Sequence, residues 1–180
     1  MKSEINKNKV IGQRGVGLVE LLIAVTLTVL IGAVMLEFYI SQHNQFLVQE
    51  GISDMQQNAR FAMDEITRNI RIAGYGLTGS PSITVGSDTL KIYYKNGSNV
   101  DSIVYYISRA NPLHPNLMKK IGSSTAQVYA ENIDSLKFSQ NGKLVNVRIV
   151  AREDTKDDHF TGDKYRRRIL SSNVKVRNNI

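Results

Sequence analysis

The sequence predicts an α+β chain, with one long N-terminal helix packed on an antiparallel β-sheet head. Three observations carry that expectation. Val16 to Leu36 is an unbroken apolar run with a single ionisable side chain, Glu20. From Glu37 to Gly76 apolar residues recur every three or four positions, the period of one helix face. Beyond Ser82 the period drops to two, and Asn-Gly pairs fall between runs rich in β-branched and aromatic residues. The predicted organisation is a basic leader at 1–15, a membrane-spanning half-helix at 16–36, an amphipathic half-helix at 37–76 and a β-rich head at 77–180.

The leader carries Lys2, Lys7, Lys9 and Arg14 against Glu4, a side-chain charge of +3. A helix of the length that follows reaches roughly 30 Å, the thickness of a bilayer's hydrocarbon core. The basic flank places its N-terminus in the cytoplasm by the positive-inside rule. Val34-Met35-Leu36-Glu37 offers no small-x-small cleavage site, so the segment reads as an anchor rather than a removed signal. Glu20 is the feature a plain anchor does not need, because a carboxylate in this setting is costly without a partner.

The amphipathic stripe comprises Val48, Ile52, Met55, Ala59, Met63, Ile66, Ile70 and Ala73, and core packing accounts for it. No proline precedes Pro81, so one helix can continue to Ala73, with Gly74 and Gly76 as its stop. In the head, Leu90–Tyr94 and Ser102–Ile107 flank a connection that begins at Asn96-Gly97. Ile133–Ser139 and Leu144–Ala151 flank Asn141-Gly142, and Arg168–Val176 supplies a last strand. Asn111-Pro112 and His114-Pro115 mark an irregular loop between the hairpins.

Composition excludes several chemistries. The chain has 180 residues, a net charge of +7, no cysteine and no tryptophan. Disulfide frameworks, thiolate metal sites and thiol catalysis are therefore absent. His43, His114 and His159 are dispersed without metal-ligand spacing, and no serine lies in a nucleophile motif. Enzyme activity is not expected.

Taken together, the leader, Gly15, the apolar helix and Glu20 resemble the class III signal of type IV prepilins and type II secretion pseudopilins. The resemblance implies cleavage between Gly15 and Val16 on the cytoplasmic side, methylation of Val16 as the new N-terminus, and an assembly role for Glu20. Val16 departs from the Phe or Met usual at that position. Physically, Glu20 can pair with the Val16 α-amino group, in its own chain or in a neighbour, which offsets the cost of burying either charge.

The stretch from Asn58 to Gly76, with Arg60, Arg68, Arg71 and the Ala73-Gly74-Tyr75 turn, is similar to the helix end of PilW-type minor pilins and J-type minor pseudopilins. Arg166-Arg167-Arg168-Ile169-Leu170, with Val174 and Val176, resembles how such heads end. The likeness covers the first 76 residues well and the remainder loosely. It implies a pilin-like fold and a structural minor pilin that primes type IV pilus assembly near the tip. The close alternative is a minor pseudopilin of a type II secretion system. A signal-anchored periplasmic binding domain, with Gly15–Val16 intact, is a third reading.

The implied partners are other minor and major pilins, the prepilin peptidase/methyltransferase, an inner-membrane assembly platform and the lipid bilayer. The implied location is the inner membrane in a single pass, then the pilus at the cell surface. No cofactor is expected. Asp154, Asp157, Asp158 and Asp163 form a calcium candidate that the family's calcium-binding head loops favour. The order of an EF-hand is missing and Lys156 interrupts the stretch, so a solvated loop is the preferred reading. Lys164, Arg166, Arg167 and Arg168 form a basic run. Strand alternation would split it between two faces, and leader removal takes the net charge to +4, so nucleic acid is not an expected partner.

Overall fold

The computed structural model describes residues 17–78, 81–157 and 160–178. Helix α1 runs without a break over Leu18–Ile72. It ends where the sequence places its stop: Gly74 and Gly76 have φ of 75° and 69°, a left-handed conformation that side chains resist. The Gly74 N–H donates to the Tyr93 carbonyl at 2.8 Å, so the chain leaves the helix already pairing with a strand.

By compactness the chain divides after Gln45. In the first unit the helix from Leu18 to Leu36 is apolar on every side apart from Glu20, and its large apolar residues are exposed. A helix hydrophobic all round belongs in lipid or inside a bundle, and this one is long and apolar enough to cross a membrane. The hydroxyls of Thr26 and Thr28 donate to the carbonyls of Leu22 and Ala24 at 2.8 Å. These bonds satisfy both threonine hydroxyl donors on a surface suited to hydrocarbon.

The second unit, from Phe46, holds the rest of α1 and eight strands. Strands β1 (Ile83–Val85), β2 (Thr89–Asn96), β3 (Asn99–Ser108), β4 (Asn116–Ile121) and β5 (Gln127–Ala130) form one antiparallel sheet in chain order. Strands β6 (Ile133–Asn141), β7 (Leu144–Arg152) and β8 (Arg167–Lys175) form a second. The fold class is α+β, with the antiparallel head divided into two sheets.

Both hairpin turns are equally tight. Asn96 pairs with Asn99, and Asn141 with Leu144, leaving two loop residues each. Gly97 and Gly142 take the first loop position, with φ of 61° and 57°, the glycine-first arrangement of a type II′ turn. The asparagines therefore end strands and do not form the turn itself.

The predicted stripe lines the core. Met55, Ala59, Met63, Ile66, Ile70 and Ala73 are buried, while Val48 and Ile52 are half-buried at its upper end. The six buried residues pack with Leu90, Ile92, Leu117, Leu136, Val147 and Ile149 into one cluster that draws on both sheets, and Ile52 packs against it. The irregular loop at 111–115 is pinned from β7: the buried Arg152 guanidinium donates to the carbonyls of Pro112, at 3.1 Å, and Leu113.

Candidate functional site

Gly15 and Val16 lie outside the described residues. Glu20 lies in the first turn of α1, where the helix dipole favours a carboxylate. Its side chain is exposed and makes no hydrogen bond or ion pair among the described residues. The helix thus presents an apolar surface with one anionic group near its N-terminal end.

The head contributes two buried ionic clusters that the apolar pattern did not announce. The first centres on Glu65, which faces the core at 5% exposure. Its carboxylate accepts from Asn69 Nδ2 at 2.8 Å, from Lys119 Nζ at 2.5 Å and from Arg68. Asn69 also donates to the Tyr105 hydroxyl at 2.7 Å. Tyr105 on β3 and Lys119 on β4 are register partners, so one carboxylate ties the helix to two adjacent strands. Burial pushes the Glu65 carboxyl up. The bonds from Lys119 and Asn69, the Lys119 charge and Arg68 outweigh it and hold the group below the usual range. Burial, and then the Glu65 charge, raise the Tyr105 phenol far above its ordinary value, so it stays neutral.

The second cluster is formed by Glu153, Asp157 and Arg166. Arg166 Nε donates to Asp157 at 2.8 Å and lies 3.9 Å from Glu153. Glu153 is 3% exposed, and its Oε2 has no hydrogen-bond partner. Burial raises its pKa, Arg166 opposes the rise and Asp157 adds to it. The helix makes room for this group with Gly51, where a Cβ would come within 2.6 Å of Glu153 Oε1 and 3.2 Å of its Cγ. Gly51→Ala should therefore destabilise the folded head by about 1–3 kcal/mol, despite the better helix propensity of alanine. Chemical denaturation would check it. Adding Glu153→Ala removes the clash, and the pair should recover at least the Gly51→Ala loss.

The described calcium candidates go to separate partners. Asp154 accepts from His114 Nδ1 at 2.6 Å, and Asp157 accepts from Arg166. Asp163 is paired bidentately with Arg167, whose hydrogen bonds hold its carboxyl far below the usual range. Asp158 lies outside the described residues. Among the described residues no three acidic or imidazole groups share a point suited to a metal ion.

The basic run is likewise engaged in the fold. Arg166 serves the Glu153–Asp157 cluster, and Arg167 Nε donates to Asp134 at 2.9 Å. Lys164 is also partnered within the chain. Arg168 remains exposed at the start of β8.

No protein-family model, no curated protein and no solved structure matches the chain.

Proposed function

We propose that this chain is a structural minor pilin of a type IV pilus, of the PilW type, that primes assembly and ends at or near the filament tip. The observation that carries this reading is a coincidence in one helix. Residues 18–36 present an all-round apolar surface interrupted by the lone carboxylate of Glu20, and the same helix continues into the core of a β-rich head. A plain anchor needs the first feature but neither of the others.

The mechanism is packing without chemistry. Peptidase cleavage after Gly15 removes the basic leader and creates the α-amino group of Val16, which is then methylated. The helix waits in the inner membrane and moves into a bundle of like helices, exchanging lipid for protein contacts. Glu20 meets a Val16 amine and fixes the axial register, because any other register leaves a charge unpaired in hydrocarbon. The head supplies lateral contacts to neighbouring pilins.

An in-frame deletion, assayed for sheared surface pili and for secreted proteins in the same cultures, tests the reading. Loss of pili with normal secretion is expected. Loss of secretion with pili intact would assign the chain to a type II pseudopilus instead. The intact mass of the protein from cells tests the processing step. A mass that retains residues 1–15 would leave a signal-anchored domain and no filament subunit.

A further inference from the structure

The cations gathered in sequence at 164–168 are taken up by the fold, but another set, scattered along the chain, is not. Lys137 on β6 and Arg148 on β7 are direct register partners, both exposed on the outward face of the second sheet. Like charges placed opposite each other destabilise a sheet. Near the far end of the same sheet, Arg71, Lys143, Lys175 and Arg177 line an open groove of about 590 Å³, with Asn173 between them. Among the described residues the ion pairs use other cations, Arg68, His114, Lys119, Arg152, Arg166 and Arg167, so Lys137, Arg148, Arg71, Lys143, Lys175 and Arg177 have no carboxylate partner there.

The groove is fixed by the fold. The Val176 N–H donates to the Lys143 carbonyl at 2.9 Å, and Asn178 Nδ2 donates to the carbonyl of Ala73 at 3.0 Å. The chain after β8 is thereby tied to the β6–β7 turn and to the end of α1. Asn146 and Asn173, joined at 2.8 Å, lie between the Lys137–Arg148 pair and the groove. Arg148 stands opposite Ser171 and Leu144 opposite Lys175, four residues apart along β7, so the two cationic ends are at least about 13 Å apart. The outward positions from Ser135 to Asn141, Leu144 to Val150 and Ile169 to Lys175 carry neither a carboxylate nor an aromatic ring.

We infer that this face of the second sheet, from the Lys137–Arg148 pair to the groove around Lys143, Lys175 and Arg177, binds the phosphodiester backbone of duplex nucleic acid. Charge complementarity selects a polyanion, and the length of the track selects a polymer, because a single phosphate reaches only one end of it. The lack of aromatic rings selects the phosphate backbone over unstacked bases, since single-strand binding relies on stacking platforms. The amide pair between the cations can donate to phosphate or sugar oxygens without reading sequence. The inference departs from the expectation drawn from the 164–168 run, because the unpaired cations lie elsewhere. It does not depend on filament formation.

The test uses the full chain in detergent with a short labelled DNA duplex, its affinity measured by fluorescence anisotropy across salt. If the track neutralises about four phosphates, the log–log salt slope is about −3.6 and affinity falls roughly a hundredfold between about 50 and 200 mM salt. Lys137→Ala with Arg148→Ala, and separately Lys175→Ala with Arg177→Ala, should each flatten the slope by about 2. The first pair should leave the thermal midpoint unchanged or raise it, because a like-charge contact is relieved. If one double variant lowers the midpoint, the other decides by the same slope criterion. A slope that neither double variant changes overturns the inference. So does displacement of the duplex by poly-glutamate at equal charge concentration, which would assign the face to an acidic protein partner.

Discussion

Lys119→Ala should destabilise the folded head by about 3 kcal/mol or more at pH 7, the scale of stranding one member of a buried ion pair. The substitution leaves Glu65 inside the core with Asn69 and the Tyr105 hydroxyl, but without its interior cation. Arg68 cannot replace it, because its side chain is mostly in water and screened. The pH dependence follows from the direction of the shift. In the parent, Glu65 is held below its ordinary value of about 4.5. Its contribution is therefore present above pH 4.5 and is lost as pH falls through the lower folded value. Without Lys119, burial dominates and raises the folded pKa instead, so the variant's deficit should shrink as pH falls from 7 towards 5. Urea unfolding of the two proteins at both pH values measures this. Lys119→Met with Glu65→Gln should lie close to the parent, because neither charge remains to be stranded. A Lys119→Ala deficit below about 0.5 kcal/mol, the range of ordinary surface changes, would show that the cluster adds little.

Why that cluster escaped the sequence reading is a matter of period and separation. Met63, Ile66 and Ile70 advertise a helix face because apolar spacing is visible locally. Glu65 and Asn69 lie on the same face, but their polarity reads as solvent, and the partner that makes burial tolerable is 54 residues away. Strand β4 was hidden for a related reason. Its Leu117 is buried, yet Lys119 and Lys120 break the apolar alternation, and two prolines just before it signal only a loop. Strand β1 has three residues, too few for any period to register. The division into two sheets was also beyond local pattern. Each hairpin is written in its turn residues, but nothing in a turn says whether β5 will pair with β6. By contrast, α1 was legible to within a few residues, because the proline-free stretch, the stripe and the Gly74–Gly76 stop agree. The free cations show the converse error. A run such as Arg166-Arg167-Arg168 attracts notice, while Lys137 and Arg148 become neighbours only through sheet register, and Arg71 joins Lys175 only where the helix end meets β8.

Glu20→Ala should leave the protein inserted in the membrane but reduce its recovery in sheared filaments roughly a hundredfold. Insertion depends on the apolar length of the helix, which the substitution increases. On the proposed reading assembly depends on a charge pair, and removing the carboxylate would leave the Val16 amine unpaired among helices. Breaking a buried pair in this way costs about 3 kcal/mol or more, or about two orders of magnitude in an equilibrium. Glu20→Gln separates charge from shape, because it keeps the volume and loses the anion, and it should fail to the same degree. Glu20→Asp keeps the charge one methylene shorter and should retain part of the incorporation. The readout is the ratio of subunit in sheared filaments to subunit in membranes, by immunoblot. Complementing the deletion with Glu20→Ala should likewise not restore pilus number, since a subunit that primes assembly acts before the filament exists. Normal incorporation of Glu20→Ala would remove the assembly role from this residue. It would also leave the first-turn carboxylate to its interaction with the helix dipole, an effect worth about 0.3–1 kcal/mol and too small to set a register.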